Sequence, residues 1–181
     1  IIIGNFLTVG GIVLSDSNIT KRALAQALKE LIKTQSIEKI SVRNICEQCG
    51  LNRKSFYYHF QDKYELMNWI FDMDFIKVME VAPADDSIAT LMVLGRIMYD
   101  NRSFYRNALA VQGQNSLREH IHEILRPLLQ ERLKEALIEE DSSFYIEFFL
   151  DALINTTFRW ISDENCDPPE KFLPHFLSCI V

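Results

Sequence analysis

Five hydrogen-bond donors crowd one short stretch of this chain: Arg53, Lys54, Ser55, Tyr57 and His59. A guanidinium can grip a guanine edge with two parallel bonds, and an ammonium, hydroxyl or imidazole can bond base edges or phosphate oxygens. Phe56 and Phe60 stand among them, four residues apart. On a helix that spacing puts both rings on one face and leaves the donors on the rest of the surface. Such a helix suits a major groove, where bases and phosphates can satisfy every donor.

Two other groupings could do chemistry. Cys46-x-x-Cys49 is a single pair, and a structural zinc site needs a second pair at suitable spacing, which the sequence lacks. The two cysteines read as small apolar residues on the inner side of a short helix. Glu119-x-x-His122 has the spacing of carboxylate-bridged di-iron helices. Such a centre needs a second copy, and neither His59, His120 nor His175 has an acid three residues before it. A solvated helix face is the simpler reading. The sequence has no nucleophile elbow and no glycine-rich phosphate loop, so the expectation is no catalytic residue, no metal, no cofactor and no enzyme.

Charge supports the nucleic-acid reading. The chain of 181 residues has a net charge of −6, which alone argues against DNA. Residues 20–64, however, carry a net +5 and the remainder −11. A basic head on an acidic body is expected when one end meets phosphates and the other does not. Cys166 and Cys179 complete a set of four cysteines, too few for a disulfide scaffold, and a reducing cytoplasm is expected. No apolar run reaches the roughly 18 residues of a membrane span.

The elements that must position these residues are helices. Apolar residues make up 48% of the chain, and no alternating strand pattern of useful length occurs. Residues 1–14 are apolar, uncharged and without a signal-peptide pattern; with residues 15–17 they form an arm of unknown role. A first helix is predicted over 20–34, with Thr20 as N-cap and Ala23, Leu24, Ala27, Leu28, Leu31 and Ile32 as its stripe. Ser41 caps a short helix over 42–48, ended by Gly50. Asn52 caps the donor-rich helix over 53–60. Asp62 and Glu65 suggest a capping box for a long helix over 62–81. Further helices are expected over 85–101, 103–110, 116–140 with a bend at Pro127, 142–163 and 169–179. The fold class is therefore all-α: a three-helix helix-turn-helix domain over 18–64 and a helical regulatory and dimerisation domain over 65–181.

The run Ile45-Cys-Glu-Gln-Cys-Gly-Leu-Asn-Arg-Lys-Ser-Phe-Tyr-Tyr-His-Phe-Gln-Asp-Lys-Tyr-Glu-Leu66 resembles the DNA-binding signature of the TetR family of bacterial regulators. The stretch from Asn18 to Ile70 is similar to regulators of dihydroxyacetone kinase operons. Two features depart from the family pattern: Cys46 and Cys49 fill slots that are often alanine, and the arm is apolar rather than basic. The resemblance implies that Arg53, Lys54 and Ser55 reach base edges and that Tyr57 meets a phosphate or a thymine methyl. It implies that Ser41, Tyr58, His59 and Lys63 position phosphates, with Arg43 in the same DNA-binding set. A half-buried core role for Tyr58 and a capping role for His59 stay open.

The same resemblance implies that the last two helices form a four-helix bundle with a twofold mate. Phe144, Phe148, Phe149, Trp160, Phe172 and Phe176 are the candidate dimer interface. It also implies a small-molecule pocket among the middle helices, with Phe75, Met79, Met98, Tyr99, Phe104, Tyr105, Phe149 and Phe158 as candidate walls. Expected partners are double-stranded DNA with a palindromic operator, a second copy of the chain, and a small-molecule effector or partner protein. The rival reading is an interaction protein of the same fold that has lost DNA binding.

Overall fold

In the computed structural model, residues 16–82, 87–133 and 142–178 are described. The arm over 1–14 and the predicted helix end over 134–140 lie outside them. The described residues form nine α-helices and no strand. They are α1 (Asp16–Ile32), α2 (Val42–Cys49), α3 (Arg53–His59), α4 (Lys63–Val81), α5 (Ser87–Asp100), α6 (Arg102–Ala110), α7 (Leu117–Leu133), α8 (Ser142–Ser162) and α9 (Pro169–Leu177). A 3-10 turn, Ile37–Lys39, joins α1 to α2.

Local chemistry ends each helix of the head. Helix α1 starts at Asp16, a turn before the predicted cap at Thr20. Ser41 caps α2 reciprocally: its hydroxyl accepts from the Asn44 amide, and the Asn44 side chain accepts from the Ser41 amide at 3.0 Å. Gly50 closes α2 at φ +68, a left-handed conformation that costs glycine little, and its N–H reaches the carbonyls of Cys46 and Glu47. Asn52 caps α3 by accepting from the Ser55 amide at 2.8 Å. Asp62 caps α4 by accepting from Tyr64 and Glu65. The box predicted around Asp62 is shifted by one residue, because Glu65 accepts from the Gln61 amide rather than from that of Asp62.

These helices share a core. Leu24, Leu28 and Ile32 of α1 pack with Ile37, Ile40, Ile45, Phe56, Phe60, Leu66 and Met67, all buried. The same core continues through Ile70 and Phe71 of α4 to Phe104, Tyr105 and Leu109 of α6 and Ile154 and Ile161 of α8. Helix α4 thus begins in the head and ends in the body.

One buried polar cluster ties that joint. Asp74 of α4 is 3% exposed. It accepts from Lys29 of α1 at 3.3 Å, from Lys77 at 3.3 Å and from the Tyr105 hydroxyl of α6 at 2.8 Å. Burial, then the neighbouring Asp74 charge, pushes the Tyr105 phenol well above its usual range, so it stays a donor. In the body, α7 runs on through Pro127 and packs on α8, while α9 packs on α5. A Cβ on Gly95 would fall 2.7 Å from Cδ1 of Leu173, so a side chain there would make the tip of that leucine shift.

Candidate nucleic-acid interface

Helix α3 divides as its sequence indicates. Phe56 and Phe60 are buried, whereas Arg53, Lys54, Tyr57 and Tyr58 are exposed and Ser55 and His59 are partly so. The two rings lie 5.9 Å apart and seat the helix on the head core. Tyr58 is 82% exposed, which decides against a core role for it. Arg53 donates to the Tyr57 hydroxyl at 3.3 Å and lies over its ring at 5.7 Å, so the pair is held together on the surface. Because that bond favours the charged form, the guanidinium is held above its ordinary range.

The adjoining residues differ in how free they are. Arg43 bonds Glu47 at 2.7 Å in an exposed pair that a phosphate can replace at little cost. Ser41 spends its hydroxyl on the α2 cap. His59 packs edge-on against Tyr58, with ring centroids 4.9 Å apart. Burial, then the Lys21 charge, lowers its pKa and favours the neutral ring.

Lys63 departs from its expected role. Its ammonium donates to the carbonyls of Ile37, Glu38 and Ile40 at 2.7, 3.1 and 2.8 Å. An ammonium has three protons, so all are used in fastening the α1–α2 turn to the start of α4. Burial lowers the pKa of Lys63. Sequence spacing could not reveal this, because the acceptors are backbone atoms of a distant turn. A residue not anticipated is Lys21, whose ammonium lies 5.7 Å from the Phe60 ring and 5.9 Å from that of Trp69.

The candidate pocket residues do not converge. Phe104 and Tyr105 are core, Met79 is 51% exposed, and Phe75 stacks on Phe71. Phe158 lies under Arg118, and Phe149 packs on Phe148. Met98 does line a cavity, with Leu91, Leu94, Leu153, Thr157 and Trp160, but its volume is only about 30 Å³, room for little more than a water. Tyr99 stacks on Trp160 close by. A larger cleft of about 310 Å³ lies between head and body, lined by Lys21, His59, Phe60, Glu65, Asn68, Trp69, Asp72 and His120.

The candidate interface residues split into two groups. Phe144 and Phe148 are 69% and 58% exposed on α8, stacked on each other, with Tyr145 beside them. Trp160 is instead buried within its own chain: it stacks on Phe172 at 4.4 Å and donates to the Asp167 carbonyl at 2.7 Å. The side chain of Phe176 lies outside the described residues. Glu119 accepts from the Asn115 amide at the start of α7, and His122 faces Glu147 and Asp151 of α8. Among the described residues no group of three ligating side chains could hold a metal, and no helix is long and apolar enough to cross a membrane.

Comparison with known proteins agrees with this architecture. Residues 21–69 match the family described as bacterial regulatory proteins, tetR family, and residues 86–180 match a transcriptional regulator C-terminal region. The HTH-type dhaKLM operon transcriptional activator DhaS of Lactococcus lactis subsp. lactis (strain IL1403) is 31% identical over 100 residues, covering 52% of this chain. The chain spans 51% of that relative's length. A solved structure of the dihydroxyacetone kinase operon activator DhaS superposes with a TM-score of 0.62 at 23% identity, over 90% of this chain and 94% of that one. A TetR transcriptional regulator from Streptococcus agalactiae 2603V gives a TM-score of 0.68 at 20% identity, over 91% and 95%. At these identities the superpositions speak for the fold.

Proposed function

This chain belongs to the TetR family of DNA-binding transcriptional regulators, a family without enzymatic activity, and from that premise we propose that it binds a palindromic operator as a twofold dimer in the cytoplasm. The carrying observation is α3, whose rings are buried and whose donors point outward. In this reading α3 enters the major groove. Arg53, Lys54 and Ser55 read base edges, and Tyr57 meets a phosphate or a thymine methyl. Arg43, Tyr58 and His59 hold the backbone, while Ser41, spent on its cap, fixes the start of α2 beside them. Lys63 contributes indirectly, by fixing the turn that carries α2.

One short helix reads too few base pairs to single out an operator. Two heads on one face of the duplex, about 34–36 Å apart, supply the rest. The exposed Phe144 and Phe148 support α8 as the surface that meets the second copy, since a lone chain showing both rings would be prone to association. By its likeness to DhaS, the chain controls an operon for the metabolism of dihydroxyacetone or a related small molecule, with a small molecule or partner protein acting on the body. Helix α4, spanning head and body, is the element such a signal would move.

A gel-shift titration with DNA from upstream of the chain's own gene tests this. Arg53→Ala should lose about 1–3 kcal/mol on the operator and little on random DNA. Equal loss on both would remove Arg53 from base reading.

A further inference from the structure

The cleft between head and body brings together side chains that sequence spacing does not connect. Its head end is walled by Lys21 of α1 and by His59, the last residue of α3. The Lys21 ammonium sits over Phe60 and Trp69, which are themselves packed edge to face at 5.9 Å. Those rings fix where the ammonium lies but accept no ordinary hydrogen bond from it. Among the described residues no carboxylate lies within ion-pair distance of it. The two acids of the cleft already have partners: Glu65 accepts from the Gln61 amide, and Asp72 pairs at 2.6 Å with His120, which lines the same cleft.

We propose that Lys21 and His59 form a phosphoryl-binding site, with Lys21 as the fixed charge and His59 as a second donor. Its occupant is either a phosphate of the DNA backbone or the phosphate of a small molecule. The first source rests on the DNA-binding reading above and adds Lys21 to it; the second does not depend on it. An oxyanion suits this cleft, because a ring-seated ammonium and an imidazole from a neighbouring element line the same space. Burial first, and then the Lys21 charge, lower the pKa of His59, and an anion in the cleft would offset the second of these.

The test uses the full chain and three variants. Lys21→Met keeps the apolar stem on the rings and removes the charge, Lys21→Arg keeps the charge, and Lys21→Gln serves if Lys21→Met does not fold. Operator affinity is measured against salt, and His59 imidazole resonances are followed during titration with inorganic phosphate at constant ionic strength. For the DNA source, the uncharged variants lose about one unit of salt slope and Lys21→Arg retains it. For a small phosphate, the His59 resonances shift saturably in the wild type and Lys21→Arg but not in the uncharged variants. Either result supports the site and identifies its source. An unchanged salt slope together with no saturable shift overturns it. A wild type that binds no DNA would sink the functional reading instead, and the phosphate titration would still decide the site.

Discussion

Helices α3 and α8 both expose side chains that a solitary protein has no reason to expose, and they do so in opposite ways. Helix α3 buries Phe56 and Phe60 and shows donors to solvent. Helix α8 buries Ile146, Leu150, Ile154 and Ile161 and shows Phe144 and Phe148. Exposed donors cost little in water and gain their value against a charged, hydrogen-bonding partner. Exposed rings remain unfavourable until another apolar surface covers them. In the proposed function the two helices bear on two separate questions: what the chain binds, and how many copies bind it.

The contrast can be broken first at the anchor of α3. Phe56 is fully buried, so Phe56→Ala should cost about 3–5 kcal/mol of stability in a denaturant titration. A loss below about 1 kcal/mol would mean that the ring does not seat the helix. Next comes α8. Phe148→Asp should shift a dimer to monomer in sedimentation at micromolar concentration while leaving the circular dichroism of each copy unchanged. A dimer that persists would move the interface off this face.

The joint between the two regions gives a smaller effect. Tyr105→Phe removes one donor from buried Asp74 and should cost about 1–3 kcal/mol. Lys29 and Lys77 remain on the carboxylate, so a larger loss would mean that the hydroxyl alone keeps it satisfied. The smallest effect concerns pH. The folded pKa of His59 lies below its ordinary value of 6.5, so between the two the unfolded chain binds more protons. The contribution of His59 to stability therefore falls as pH drops through that window, and His59→Gln should remove this slope. A wild type and variant with identical stability-pH profiles would place His59 in free solvent.

The sequence showed the head more fully than the body, for a physical reason. The caps at Ser41, Asn52 and Asp62 and the stop at Gly50 act within a few residues, so their signals are local. The split of α3 into rings and donors follows from helical period alone. Lys63 and Lys21 escaped that kind of reasoning because their partners come from other elements. In the body, period identifies an apolar helix but not which apolar face meets its own chain. Trp160 and Phe148 read alike on α8, yet one stacks on Phe172 and the other faces outward. A pocket likewise depends on what fails to pack, and no residue spacing encodes that.

In the proposed function the outward face of α3 reads a base sequence. Fluorescence anisotropy on DNA from upstream of the chain's own gene, titrated beside a scrambled duplex of equal length at matched physiological salt, tests it most directly. Operator binding is expected to be at least about 10³ tighter than binding to the scrambled duplex, with Arg53→Ala closing part of that gap. Equal affinity for both duplexes, unaltered by Arg53→Ala, would contradict it.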